Sequence, residues 1–401
     1  MSNFWEQVCL SDICQITMGQ SPNSKSYNSK RNGIPFFQGK AEFREKFAEV
    51  RTWCSEPQKI AQKGDVLISV RAPVGECNIA PEKCCIGRGL ASIKSNSHKL
   101  DQDFLWYVIN FQKSYFESIA QGSTFDAISN KDLINMPLKL PPLDEQKKIS
   151  EVLKKIDLLL NQLQKKIDKK RFLIKATARS LLSEGINHAN YKSSVIGKVP
   201  QEWDVLKLTD VIEVKHGFQF RDYHFSEKGI PIVKIGNLVH GSNVDMSSVN
   251  SFISAKKLPE FEKFQLKRHE ILMALTGATL GKVSIFHSKL VALQNYRVGK
   301  FLPKGINVIK NEFIYWILQS DYIQNIIESL VNEAAQPNIG KADLEKMYIP
   351  IPPLHEQNKI SSILFSIQLL SKITENKYHQ IKLVKQSLIQ DLFSGRIRIV
   401  V

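Results

Sequence analysis

The stretch MPLKLPPLDEQKKISEVLKKIDLLL, beginning at Met136, returns as MYIPIPPLHEQNKISSILFSIQLL from Met347. Both carry P-P-L-x-E-Q-x-K-I-S in register, and the match runs outward from there. Upstream, Asp132-Leu133 answers Asp343-Leu344, DFLWYVI from Asp103 answers EFIYWIL from Glu312, and GDVLISV from Gly64 answers HEILMAL from His269. Further back, NGIPFF from Asn32 answers KGIPIV from Lys228. Trp5 with LSDI at Leu10 to Ile13 answers Trp203 with LTDV at Leu208 to Val211. Downstream, SLLS from Ser180 answers DLFS from Asp391. The chain is two diverged copies of one unit, and a repeat of that length decides the fold before any single element is assigned.

Within each copy the text changes character at the paired prolines. Before Pro141 it consists of short β-like runs such as VLISV at Val66 to Val70, punctuated by Gly and Pro, with a helical stretch around Phe104 to Ile119. Trp203 to Ile351 reads the same way, with FIYWILQS as the matching helix. After Pro142, Ile149, Leu153, Ile156, Leu160, Leu163 and Ile167 follow the 4,3,4,3 spacing of a coiled-coil seam. No Pro or Gly interrupts Asp144 to Glu184, and Gly185 stands where a helix C-terminal cap belongs. The second copy predicts a seam through Ile360, Leu364, Ile367 and Leu370, loosening at Thr374 and Tyr378. It resumes at Ile381, Val384, Leu388 and Leu392 before Gly395.

A helix of about 40 residues is roughly 60 Å long, more than its own globular part can cover, so each needs the other as partner. Chain order makes them antiparallel. The expected fold is α+β: two similar mixed α/β domains held apart by two long antiparallel helices forming a coiled coil, with a pseudo-twofold internal repeat. The expected boundaries are a first domain over 1–140, a helical spacer over 141–186, a linker and second domain over 187–351, and a second spacer over 352–401.

Among 401 residues, 55 Lys and Arg stand against 39 Asp and Glu, a net charge of +16, so the partner should be a polyanion. Nucleic acid comes before an anionic membrane surface, and the even division of basic residues between the copies suggests two equivalent polyanion contacts. No apolar stretch is long enough to span a bilayer and the N-terminus MSNFWEQVCL has no leader pattern, which predicts a cytoplasmic protein. The six cysteines, Cys9, Cys14, Cys54, Cys77, Cys84 and Cys85, have neither C-x-x-C spacing nor His partners and read as reduced thiols; no metal is expected.

Catalytic signatures are missing. GATLGKVS from Gly277 has the wrong glycine spacing for a phosphate loop and Val after its Lys, and His355-Glu356 lacks the second His of a zinc protease helix. Glu145-Gln146 and Glu356-Gln357 recur just past the prolines, where a carboxylate favours the positive end of a helix dipole; they read as capping or partner-docking residues. Base readers belong in the loops, beside glycines that admit close approach. In the first copy the candidates are Gln20, Ser21 and Lys25 after Gly19, then Lys40, Arg71 and Arg88. In the second they are Gln219, Arg221, Lys234, Asn237, Thr276, Thr279, Lys282, Asn295 and Arg297. Arg pairs with guanine bidentately, Asn or Gln with adenine, and Lys grips phosphate. The alternation His216, Phe218, Phe220, Tyr223, Phe225 reads as a half-buried strand rather than a stacking platform, and Phe104, Trp106, Phe313 and Trp316 read as core.

Two copies that each end in a P-P-L-x-E-Q helix, the IGKVPQEW restart from Ile196 and the closing LFSGRIRI from Leu392 together resemble the specificity subunit of type I restriction-modification systems, over nearly the whole chain. The resemblance implies a non-catalytic protein whose two target-recognition domains each read one half of a split double-stranded DNA sequence. It implies docking of two modification subunits, which bind S-adenosylmethionine and methylate adenine, and of restriction subunits using ATP and Mg²⁺; this chain itself would hold no cofactor. Pro141, Pro142, Leu143, Glu145, Gln146 and Ile149, with Pro352, Pro353, Leu354, Glu356, Gln357 and Ile360, match the helix-opening motif and are its partner-docking candidates. Two rivals are a fused methyltransferase or nuclease, against which the missing motifs speak, and a coiled-coil adaptor that binds DNA without sequence preference.

Overall fold

The computed structural model describes residues 5–121, 127–305, 307–333 and 338–399, with backbone alone for 331–333. Residues group into two compact units: 1–165 with 375–401, and 166–374. The grouping is discontinuous where the sequence suggested consecutive blocks, because each long helix contributes a segment to each unit instead of forming a spacer of its own.

The first unit is built on an antiparallel sheet of Cys14–Met18, Leu90–Ser95, Val66–Ser69 and Cys77–Ile79, in that order. A second sheet aligns Tyr27–Asn28, Trp53–Cys54, Ile34–Phe37, Cys84–Ile86 and Ile60–Ala61, with Ile34–Phe37 and Cys84–Ile86 parallel. Val66–Ser69 is buried throughout, as a continuous apolar run in a covered strand should be. The helical stretch is two helices, Gln102–Phe111 and Lys113–Gln121. Glu6–Cys9 pairs with Pro137–Leu140 and brings the start of the unit to the foot of the long helix.

The second unit repeats the plan. Its main sheet runs Ile212–His216, Val298–Pro303, Ile271–Ala274, Val283–Ile285 and Ser242–Asn243, and the second sheet again contains one parallel pair, Ile230–Val233 with Leu293–Gln294. Asp204–Lys207 pairs with Tyr348–Ile351 as Glu6–Cys9 pairs with Pro137–Leu140. The chain is thus α+β with an internal repeat. Phe104, Trp106, Phe313 and Trp316 are core residues, as expected. The alternating aromatics are not one strand: Ile212–His216 ends first, and Phe218 and Phe220 pack on Phe261 beyond it, at ring distances of 4.9 and 5.2 Å. All six cysteines are free, and burial pushes Cys14 and Cys84 up to about 12, which leaves them poor nucleophiles.

The long helices are Leu143–Ser183 and Leu354–Ser394, each followed closely by a left-handed glycine, Gly185 and Gly395. In the first unit Glu145 meets Arg398 and Asp157 meets Lys385, so the segments run antiparallel there. In the second, Lys170 donates to the Leu370 carbonyl at 2.8 Å and to Thr374 at 2.6 Å. The seam expected for the first helix is buried at Ile149, Leu153, Leu160, Leu163 and Ile167. That of the second helix needs correcting. Leu370 and Val384 are 54% and 62% exposed, while Ser371 and Thr374 are buried and Lys385 is half-buried. The inward row is Ile367, Ser371, Thr374, Tyr378, Ile381, Lys385, Leu388 and Leu392, a 4,3 alternation that keeps the expected seam except at two places, where Ser371 replaces Leu370 and Lys385 replaces Val384. Small hydroxyl residues and the Lys385–Asp157 ion pair take the inside, and the leucines on either side face out.

The paired prolines open two matching sockets. Gln146 Oε1 accepts from the Asp101 amide at 2.9 Å, and its Nε2 donates to the Lys99 and Pro141 carbonyls at 3.0 and 2.8 Å. Gln357 does the same with the Lys310 amide at 2.8 Å and the Val308 and Pro352 carbonyls at 2.9 and 2.8 Å. Glu145 takes the Trp5 indole and the Ile399 amide besides Arg398; Glu356 takes the Trp203 indole at 2.8 Å, the Ile186 amide at 2.8 Å and His188 at 2.8 Å. Ile149 and Ile360 are fully buried beneath. The partner-docking reading of these six side chains is therefore corrected: their polar atoms are bonded inside their own unit, and they join helix to globular part. Pro141 and Pro352 are buried too, which leaves Pro142, Leu143, Pro353 and Leu354 of the motif at or near the surface.

Candidate nucleic-acid interface

In each unit the main sheet delivers three loops to one edge, and a small set of backbone hydrogen bonds ties them together. In the first unit Gln20 N donates to Ile86 O (3.0 Å), Gly87 N to Phe37 O (2.8 Å), Val70 N to Gly89 O (3.0 Å) and Leu90 N to Gly87 O (3.0 Å). In the second, Phe218 N donates to Gln294 O (3.0 Å), Asn295 N to Val233 O (3.1 Å), Leu275 N to Arg297 O (3.0 Å) and Val298 N to Asn295 O (3.0 Å). The frame is the same. The side chains on it are not: Gln20 stands where Phe218 does, Ser21 where Gln219 does, Gln38 where Lys234 does, Arg71 where Thr276 does, and Arg88 where Tyr296 does.

Close approach of these loops demands glycine. A Cβ on Gly19 would lie 2.1 Å from the Gly87 carbonyl oxygen, and one on Gly217 2.2 Å from that of Gln294. Around the first of these glycines the structure brings together Gln20, Ser21 and Arg88, with exposed Arg71 on the adjoining hairpin. Ser21 Oγ accepts from the Arg88 amide at 3.2 Å and from Gln38 Nε2 at 2.9 Å. Lys25 is exposed in the short turn Ser24–Ser26, and the Lys40 ammonium lies 3.9 Å from Glu76.

In the second unit Gln219, Arg221 and Arg297 are exposed, with the Arg297 guanidinium 5.3 Å from the Tyr296 ring and its Nε donating to that phenol at 2.6 Å. Lys282 is half-buried. Thr276 and Thr279 have buried hydroxyl oxygens without a hydrogen-bond partner. Two expectations are overturned, those for Asn237 and Asn295. Asn237 is buried, its Oδ1 accepting from the Lys234 amide at 2.8 Å and its Nδ2 donating to Ser248 at 3.1 Å, so it closes a turn. Asn295, 7% exposed, accepts from the Arg297 amide and supports the neighbouring arginine from below. Lys234 gives its ammonium to Ser251 at 2.6 Å and lies 4.8 Å from the Phe225 ring. Asn and Lys beside glycines fit turn-making and ring-packing as well as base reading, and the sequence alone does not separate these. The sequence reading missed Gln38 and Tyr296; the signal was their place, Tyr296 beside Arg297 and Gln38 two residues before Lys40.

Among the described residues no group of His, Cys, Asp and Glu is placed to hold a metal ion, and no helix is long and apolar enough to cross a membrane.

The family model described as type I restriction modification DNA specificity domain matches residues 3–170 and again 200–383. The chain is 26% identical over 401 residues to the type I restriction enzyme MjaVIII specificity subunit of Methanocaldococcus jannaschii, covering 98% of this chain and 93% of that one. It is 24% identical over 425 residues to the MjaIX specificity subunit of the same organism, covering 98% and 94%. Its fold is similar to the solved S subunit of a type I restriction-modification system from M. genitalium, at a TM-score of 0.63 and 17% identity, over 98% of this chain and 97% of that one. With the repeated frame, the twin sockets and a match over most of both copies, the chain belongs to the type I restriction-modification DNA specificity family, the recognition component and not the catalytic one.

Proposed function

We propose that each unit binds one half of a split duplex DNA target, that the two half-sites differ, and that the long helices set the gap between them and dock two adenine-methyltransferase subunits. The observation that carries this is the repeated loop frame: the same backbone bonds present Gln20, Ser21, Gln38, Arg71 and Arg88 in one unit and Phe218, Gln219, Lys234, Thr276 and Tyr296 with Arg297 in the other. Equal frames with unlike side chains suit a protein that grips DNA in one way and reads two sequences. Positive charge supplies attraction to phosphate without regard to sequence, and exposed Arg71, Arg88, Arg221 and Arg297 are the guanine readers by chemistry.

Docking is assigned to the outward faces of the long helices. Leu158, Leu383 and Val384 in the first unit and Phe172, Leu173, Leu369 and Ile373 in the second are each at least half exposed. Large apolar side chains in that density suit a partner's helices. S-adenosylmethionine would be bound by the methylating subunits, and ATP with Mg²⁺ by restriction subunits that join them.

The test maps methylated adenines across the genome of a host with and without this gene. A bipartite motif of two unlike halves with a fixed gap, present only with the gene, is the expected result. Absence of such a motif while the chain still retains DNA would leave the adaptor reading in its place.

A further inference from the structure

We infer that Gln38 reads a base pair for the first unit, with Ser21 as its positioning residue; this rests on the proposed reading of split DNA targets. Phe37, the last residue of its strand, is fully buried, whereas Gln38 is exposed at the strand end before the turn at Gly39. Its position is enforced from both sides. A Cβ on Gly87 would stand 2.7 Å from Gln38 Oε1 and 3.0 Å from its Cα, and one on Gly89 would stand 2.7 Å from its carbonyl oxygen. Gly87 also binds the Phe37 carbonyl, so the loop that carries Arg88 is folded against Gln38 and no side chain intervenes.

The amide is latched. Nε2 donates to Ser21 Oγ at 2.9 Å, and the same hydroxyl lies 3.3 Å from Oε1 and accepts the Arg88 amide at 3.2 Å. A primary amide has two donor hydrogens and two acceptor lone pairs. One of each is used here, and one of each remains on an exposed side chain. That is the inventory of a group able to donate to one base edge and accept from another in the major groove. Holding it beforehand removes rotamer freedom that would otherwise be lost on binding. The equivalent position of the second unit holds Lys234, whose ammonium donates to Ser251 at 2.6 Å, so the two units differ here in chemistry.

The test replaces the gene in its host by Gln38→Ala and Ser21→Ala versions and maps adenine methylation. If the unmodified gene yields no bipartite motif, the underlying reading fails, and no variant is needed to see it. If it does, Gln38→Ala should relax one base pair of one half-site, lowering discrimination there by roughly ten- to a hundredfold. The other half-site, still selected in the same molecules, reports an intact fold. Ser21→Ala should weaken the same base pair by a smaller factor, and both variants should leave the bases of the other half-site as they were. An unchanged motif with Gln38→Ala, or fewer methylated sites with the same bases at all of them, would overturn the inference.

Discussion

Position 310 holds Lys where the first copy has Asp101, and the difference can be followed atom by atom. Asp101 caps the helix Gln102–Phe111 by accepting from the Phe104 amide at 2.8 Å, and it also takes the Ser150 hydroxyl at 2.7 Å. Lys310 provides no side-chain cap for Asn311–Leu318, and the buried hydroxyl of Ser361, the counterpart of Ser150, has no partner. Lys310→Asp should restore both bonds and stabilise the second unit by about 1 kcal/mol, read as slower hydrogen exchange across 311–318. Glu145 gives a pH test. Burial pushes its carboxyl up, but the Arg398 guanidinium, the Ile399 amide and the Trp5 indole outweigh this and hold it below the ordinary carboxylate range. A depressed folded value adds stability that is complete above the unfolded value of about 4.3 and is lost as the pH falls through the folded one. Glu145→Gln should therefore cost about 1–3 kcal/mol at neutral pH and flatten the acid side of the melting curve of the first unit. A melting profile as acid-sensitive as that of the unmodified chain would contradict it. At this scale the sequence located Glu145 and Gln146 correctly and misjudged their use, because a bond to one's own backbone and a bond to a partner draw on the same residue types.

The long helices show what periodicity can and cannot decide. In Leu143–Ser183 the apolar row is the inward row, and the seam was legible. In Leu354–Ser394 the inward row leaves the apolar one at two places: Ser371 is buried where Leu370 is exposed, and Asp157, itself bonded to Tyr107 at 2.6 Å, draws in Lys385 where Val384 is exposed. No rule internal to one helix contains that information. Two substitutions separate the rows. Leu153→Ala, at a fully buried position, should cost about 2–5 kcal/mol in thermal or urea unfolding. Leu383→Ser, where the side chain is 65% exposed, should leave stability within about 0.5 kcal/mol yet reduce co-purification of the methylating partner. Equal retention of that partner would remove the outward leucines from the docking surface.

At the scale of the molecule, the split target proposed above requires its two halves to be read at a fixed separation, and the proposal gives that task to the two long helices, each of which contributes residues to both units. Four residues inserted after Gln164, with four more opposite them in the second helix, would preserve helical pairing to within about 40° of rotation and add roughly 6 Å. One base pair rises about 3.4 Å, so the gap in the methylated motif should lengthen by about two base pairs while the bases of both halves stay the same. On the proposed reading base identity depends on the loop frames and gap length on the helices, so the two should vary independently: Gln38→Ala combined with the insertion should give the relaxed half-site and the longer gap together. Methylation mapped in a host carrying the lengthened gene reads both quantities at once. A motif with its original gap would show that separation is set elsewhere, and a longer gap accompanied by altered bases would show that the reading loops and the helices are mechanically coupled.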